Sequence, residues 1–206
     1  MNKLFNNRKL VRLADFLYLS VLWAVFSLPV ITIGASTSAL YYTIYYSVKN
    51  EEGYIFSEYW KAFKRTFKKA TLNWILFLIT ASAFYLDSVI ILQKTNGSLI
   101  GIVGQMFFLL LIPLECFLII YIIPYISRFN SPLKLVWKNS AILAFANLFD
   151  TVTMFILLII SIMIIWLIPI TVVILPAFVT YIISNKMEKI FAKYIREYEH
   201  ENHLPM

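Results

Sequence analysis

Residues 71–124 read TLNWILFLITASAFYLDSVIILQKTNGSLIGIVGQMFFLLLIPLECFLIIYIIP. Two apolar runs, 71–92 and 99–124, flank one short polar stretch, Gln93-Lys94-Thr95-Asn96-Gly97-Ser98. Each run matches the ~20 residues that a helix needs to cross a hydrocarbon core of ~30 Å. Together they predict an antiparallel pair of transmembrane helices joined by a polar turn.

Two further apolar runs, 16–48 and 151–184, lie on either side of this pair. The first, drawn as one helix, would be ~50 Å long, too long for a modest tilt to absorb. Both contain breakers: Pro29 and Gly34 in the first, Pro169 and Pro176 in the second. The charges decide how they fold. Basic residues cluster at Lys3, Arg8, Lys9 and Arg12; at Lys49, Lys61, Lys64, Arg65, Lys68 and Lys69; at Arg128, Lys134 and Lys138; and at Lys186, Lys189, Lys193 and Arg196. That accounts for all but one of the 18 Lys and Arg residues, leaving Lys94 in the polar turn. Cytoplasmic loops collect Lys and Arg, so all four clusters belong on one side. A single crossing by either long run would strand a cluster outside, whereas two short helices keep both ends inside.

The resulting expectation is an all-α polytopic transmembrane bundle of about six crossings in three hairpins, with four or five also compatible. Both termini are placed in the cytoplasm. As one domain, 1–206 divides into hairpins at 16–48, 71–124 and 151–185, amphipathic helices at 55–70 and 131–150, and a tail at 186–206. The half-length helices, at ~24 Å, are thin for a full crossing. Re-entrant backbone is tolerated only where protein buries it.

Composition agrees. Of the 206 residues, 61% are hydrophobic, with a mean hydropathy of +0.77. That leaves no room for a separate soluble domain. The formal charge of +7 sits beside the spans, where it faces anionic lipid headgroups and not nucleic acid. Cys116, the single cysteine, rules out an intrachain disulfide and a cysteine-based metal site. The basic start lacks a small-x-small cleavage context, so the first apolar run is expected to stay in the protein.

The 55–70 segment is amphipathic at helical spacing. Phe56, Tyr59, Trp60, Phe63, Phe67 and Ala70 share one face, and Lys61, Lys64, Arg65, Lys68 and Lys69 cover the other. Ser57 suits an N-cap and Glu58 a first turn. The pattern fits a helix lying in the membrane interface, aromatic face down; a docking surface for lipid or for a cytoplasmic partner is the functional alternative. The 131–150 segment repeats the pattern more weakly and opens on Ser131-Pro132.

Four carboxylates touch the apolar regions. Asp15 and Asp150 fall at the ends of their runs, where caps or interfacial ion pairs account for them. Asp87 lies near the outer end of its span. Glu115 is deeper, two residues after Pro113. Intramembrane carboxylates are functional candidates by default, so Glu115 and Asp87 are the ligand or ion candidates; a structural hydrogen-bonded Glu115 is the alternative. Gly34/Ser38 and Ala35/Ala39 are small-x-x-x-small pairs that let helices approach closely. His200 and His203 lack supporting ligands, and no metal or cofactor is expected. No nucleotide loop, nucleophile elbow or zinc-protease motif occurs, so an enzyme is not expected.

The run Trp23-Ala24-Val25-Phe26-Ser27-Leu28-Pro29-Val30-Ile31-Thr32-Ile33-Gly34-Ala35-Ser36-Thr37-Ser38-Ala39-Leu40-Tyr41-Tyr42 resembles the opening hairpin of the YesL-like family of small bacterial membrane proteins. The likeness continues through the basic 56–70 segment and the late proline-bearing hairpin. It implies a multi-pass protein of the bacterial cytoplasmic membrane, encoded in Gram-positive bacteria beside carbohydrate ABC-transporter components. It carries no catalytic residues. The expected function is that of an accessory or regulatory protein of a carbohydrate uptake system, whose partner is a transporter permease or a sensor protein. The alternative is a small substrate-binding membrane component of a transporter.

Overall fold

A computed structural model describes the backbone of residues 2–48 and 54–201 and the side chains of 11–48 and 54–196. The side chains of Lys3, Arg8, Lys9 and His200, and all of Lys49 and His203, lie outside the described residues. The elements are α1 (Asn2–Phe26), α2 (Ile33–Thr43), α3 (Ile55–Lys94), α4 (Leu99–Arg128), α5 (Leu133–Ala146), α6 (Leu148–Leu167) and α7 (Leu175–Glu201). Short 3-10 turns, Val30–Thr32 and Pro169–Val173, precede α2 and α7, and a π-helical turn, Ile44–Val48, prolongs α2. No strand occurs among the described residues, so the fold is the expected all-helical bundle.

Three helices are long and apolar enough to cross a membrane: α3, α4 and α6. The chain is a helical membrane protein on that ground. α3 and α4 form the expected hairpin. Its turn places Asn96 at φ 47° and Gly97 at φ 69°, the left-handed region that glycine and asparagine tolerate best. The Ser98 hydroxyl then caps α4 by accepting the Gly101 N–H at 3.3 Å. Pairing along the hairpin is antiparallel: Thr80 meets Glu115, and Arg65 meets the Ser127 carbonyl.

The 55–70 segment is not a separate interfacial helix. It is the first four turns of α3, which runs unbroken for 40 residues, ~60 Å by helical rise. No glycine or proline occurs between residues 55 and 94, so nothing interrupts the backbone where composition changes from basic to apolar. Half of its aromatic face is covered by protein. Phe26 stacks within 5.0–5.6 Å of the rings of Phe63, Trp60 and Tyr59. Ser57 lies inside the helix; the N-cap is Tyr54, which makes no side-chain cap. α5 starts two residues after the expected 131, with Pro132 as N-cap, and breaks from α6 at Asn147.

α6 and the return through α7 form a second hairpin, broken at Pro169 as expected. Lys186 comes back to pair with Asp150 at 2.9 Å. α6 also packs on α4, with Tyr121 and Thr151 hydroxyls 3.0 Å apart. α7 continues without a break into the charged tail.

The first hairpin is shorter. α1 ends at Phe26, and the chain turns through 27–32. Successive turns of α1 touch different partners: Phe16 meets Tyr181 of α7, Trp23 donates to Thr37 of α2 at 3.0 Å, and Phe26 meets α3. Near the tip, the Val30 carbonyl accepts a hydrogen bond from Trp74 Nε1 at 2.8 Å. Trp74 is 20 residues from Lys94 at the end of α3, or ~30 Å. The tip therefore stops well short of the 95–98 turn.

α2 is the centre of the bundle. Eight of its 11 residues are buried, so the surrounding helices cover most of its backbone. The small residues make this possible. Gly34 lies directly against α3, Ala35 and Ala39 are fully buried, and the Ser38 carbonyl accepts the Ser127 hydroxyl at 3.0 Å.

Candidate functional site

The basic ends of the helices converge where the π turn of α2 meets α3, α4 and α7. Insertion of a π turn widens the helix and re-aims side chains, and such turns recur at functional sites. Here it presents Tyr45 and Tyr46 one turn beyond Tyr41 and Tyr42. Arg128, the last residue of α4, donates from Nη1 to the Tyr46 hydroxyl at 2.9 Å and from Nη2 to the Tyr45 hydroxyl at 3.2 Å. Its guanidinium carbon also lies 4.5 Å from the Tyr45 ring centroid. Arg128 Nε sits 3.4 Å from Glu188 Oε2. The other carboxylate oxygen of Glu188 accepts the Tyr41 hydroxyl at 2.8 Å. One half-buried ion pair thus ties α2, α4 and α7 together.

α3 supplies the second half of this end. Arg65 donates to the Ser127 carbonyl at 3.0 Å and lies 4.2 Å over the Tyr42 ring. Lys69 donates to Asn130 Oδ1 and to the Ser131 carbonyl, both at 3.0 Å. The remaining cations of the 55–70 segment point elsewhere. Lys61 pairs with Glu58 at 2.9 Å, Lys64 lies over Trp60 at 5.2 Å, and Lys68 is exposed. What the sequence presents as one basic face is two: exposed Arg65 and half-buried Lys69 reach toward the α4–α5 connection, and Lys61, Lys64 and Lys68 point away with Trp60.

The deep carboxylates are not brought together. Glu115 Oε1 accepts the Thr80 hydroxyl from the facing helix, while its Oε2 has no hydrogen-bond partner among the described residues. Asp87 is exposed on α3, two turns beyond Thr80, ~10 Å further toward the 95–98 turn. Asp150 holds Lys186. No group of three or more His, Cys, Asp or Glu residues that could hold a metal occurs among the described residues.

A second feature lies in the bundle interior. A cleft of about 350 Å³ opens between α2, α4, α6 and α7. Leu40, Trp74, Ile120, Ile162 and Val179 give it an apolar lining. Two of its few polar groups are already engaged: the Thr37 hydroxyl accepts from Trp23, and the Tyr41 hydroxyl donates to Glu188.

The Tyr41–Glu188–Arg128 network was not legible in sequence, because its members are up to 147 residues apart. One local signal existed. Tyr41-Tyr42-x-x-Tyr45-Tyr46 repeats at i, i+4, which puts two stripes of hydroxyls on neighbouring faces of one helix.

The model of a protein family of unknown function, DUF624, matches residues 16–88, about a third of the chain. The matched segment holds the first hairpin and most of α3, including Gly34, the four tyrosines, Arg65 and Lys69. No curated protein and no solved structure matches the chain.

Proposed function

We propose that this chain is a YesL-like accessory protein of the bacterial cytoplasmic membrane that docks a transporter permease or sensor of a carbohydrate uptake system. The observation that carries this reading is the outward face at the start of α3. Phe56, Trp60 and Phe67 stay 49%, 37% and 40% exposed, although the same helix buries Tyr59 and Phe63. Exposed Lys61, Lys64 and Lys68 surround them. Aromatic anchors rimmed by charge are what a docking surface needs. The family resemblance supplies the carbohydrate context.

In this proposal both termini and the 49–70 region are cytoplasmic, and 95–98 is outside. The α3–α4 and α6–α7 hairpins cross. The first hairpin does not cross: its tip stops at the level of Trp74, ~30 Å from the 95–98 turn and so at the cytoplasmic edge of the hydrocarbon core. A substrate-binding membrane component is the second reading, favoured by the interior cleft. An apolar lining suits an apolar ligand and leaves a sugar's hydroxyls without partners, so the cleft supports uptake of a sugar by this chain less well than docking.

The test is affinity purification in mild detergent from native membranes, comparing wild type with Trp60→Ala combined with Lys61→Gln, Lys64→Gln and Lys68→Gln. The expected result is normal abundance and insertion with loss of a co-purifying transporter or sensor component. Retention of every partner by a normally inserted variant would count against docking.

A further inference from the structure

We propose that the small polar pocket between α3 and the α4–α5 connection, lined by Arg65, Lys69 and Arg128, binds a phosphate oxyanion. This pocket is separate from the outward face argued above and does not depend on it. Its volume is about 70 Å³, enough for a small oxyanion or a few waters.

The charge balance points to an anion. Three cations line the pocket, and the only carboxylate paired with any of them among the described residues is Glu188, on Arg128. Arg65 and Lys69 make no ion pair among the described residues. Their partners are neutral: the Ser127 and Ser131 carbonyls, the Asn130 amide oxygen and the Tyr42 ring. Three positive charges less one negative leave an excess of two around one small volume. Lys69 and Arg128 are half-buried and Arg65 is exposed; like charges repel more strongly where water is partly excluded.

The cations are also held in place. Tyr42 and Ser127 fix the Arg65 fork, Asn130 and Ser131 fix Lys69, and Tyr45, Tyr46 and Glu188 fix Arg128. Each keeps N–H groups to spare. Arg65 spends one of its donor nitrogens on Ser127, and Lys69 spends two of three N–H groups. A guanidinium fork takes carboxylate or phosphate alike, and the remaining Lys69 N–H beside it offers a further donor from a second direction, which the additional oxygens of a tetrahedral phosphate can meet.

Depth explains why the oxyanion is a phosphate. Lys69 lies 25 residues before Lys94 along unbroken α3, ~38 Å by helical rise. A hydrocarbon core of ~30 Å with the 95–98 turn at one face puts Lys69 in the headgroup layer of the other. Phosphate is the anion of that layer, whether it belongs to a lipid headgroup or to a free phosphate ester arriving from the adjoining water.

The experiment uses the full chain purified in neutral detergent, with phosphatidylglycerol as the probe and binding read by native mass spectrometry. Arg65→Gln with Lys69→Gln should weaken binding about tenfold or more, the effect of losing charge-assisted hydrogen bonds. Lys64→Gln with Lys68→Gln removes the same charge from the same helix, outside the pocket, and should change affinity by no more than about twofold, as a diffuse surface term. Equal losses in the two pairs, or no loss in the first, would overturn the proposal. Helical content and the thermal midpoint check folding. If the first pair does not fold, Lys69→Ala alone is read instead, and full affinity there overturns the proposal equally. Competition by inorganic phosphate separates the sources: displacement of the lipid assigns the pocket to free phosphate as well, and no displacement assigns it to a headgroup.

Discussion

Gly34→Leu should separate α2 from α3 and cost the folded protein about 3 kcal/mol, the upper end of what overpacking a close contact costs. A methyl group at Gly34 would already lie 2.6 Å from Trp74 Cβ and 2.7 Å from the Ala70 carbonyl oxygen. Both atoms are fixed by the α3 backbone, so no rotamer change relieves the clash. Even Gly34→Ala should destabilise, because the clash outweighs the ~1 kcal/mol that alanine gains over glycine in helix propensity. Gly104 is the internal control. A methyl group there meets the flexible end of the Ile91 side chain, which can move aside. Gly104→Ala should be neutral or stabilising. Reversible unfolding in mixed micelles reads both. Equal effects at the two positions would contradict the packing account of α2.

The second large effect is expected at Glu188. Glu188→Leu leaves the Arg128 cation and the Tyr41 hydroxyl without their shared acceptor. Removing one partner of a fully buried pair costs about 3–5 kcal/mol. Arg128 and Glu188 side chains retain 25% and 15% exposure, so solvent screening reduces this to about 2–3 kcal/mol. Glu188→Gln keeps an acceptor for Tyr41 and should cost about half as much. Arg128→Met should rescue part of the Glu188→Leu loss, because the stranded charge goes with it. A double-mutant cycle should give a coupling of about 1–3 kcal/mol. Additive losses would show that the two side chains act independently and that this contact does not join α4 to α7.

The helix breaks were legible where chemistry forces them. Pro29 and Pro169 mark the two turns because neither can continue a helix from the preceding one. Asn96-Gly97 marks the third, because those residues tolerate left-handed backbone. The 55–70 segment is continuous with the span and not a separate interfacial helix, for a physical reason. The switch from basic to apolar composition near Ala70 records a change in surroundings, not an end of the helix, and the absence of glycine and proline across 55–94 was the better guide. The five cations of that segment fall into stripes at i, i+4. Lys61, Arg65 and Lys69 share one, Lys64 and Lys68 the next, and Lys61, one turn before Arg65, pairs with Glu58 instead. Only the position of α4 decides which stripe turns inward. Likewise Glu115 could be singled out by its depth, but its partner Thr80 is set by the register of the α3–α4 hairpin. The tyrosine and arginine network depends on three helices meeting, which no local pattern encodes.

In the proposed topology the basic helix ends gather on one side of the membrane, and the 95–98 turn and the Pro169–Val173 turn stand on the other. Cysteine accessibility in intact cells tests it directly. In a Cys116→Ser background, Asn96→Cys should react with a membrane-impermeant thiol reagent from outside. Lys68→Cys, Lys138→Cys and Lys193→Cys should stay unlabelled until the membrane is opened, then label fully. Labelling of Asn96→Cys and Lys68→Cys from the same side, in either direction, would contradict the account.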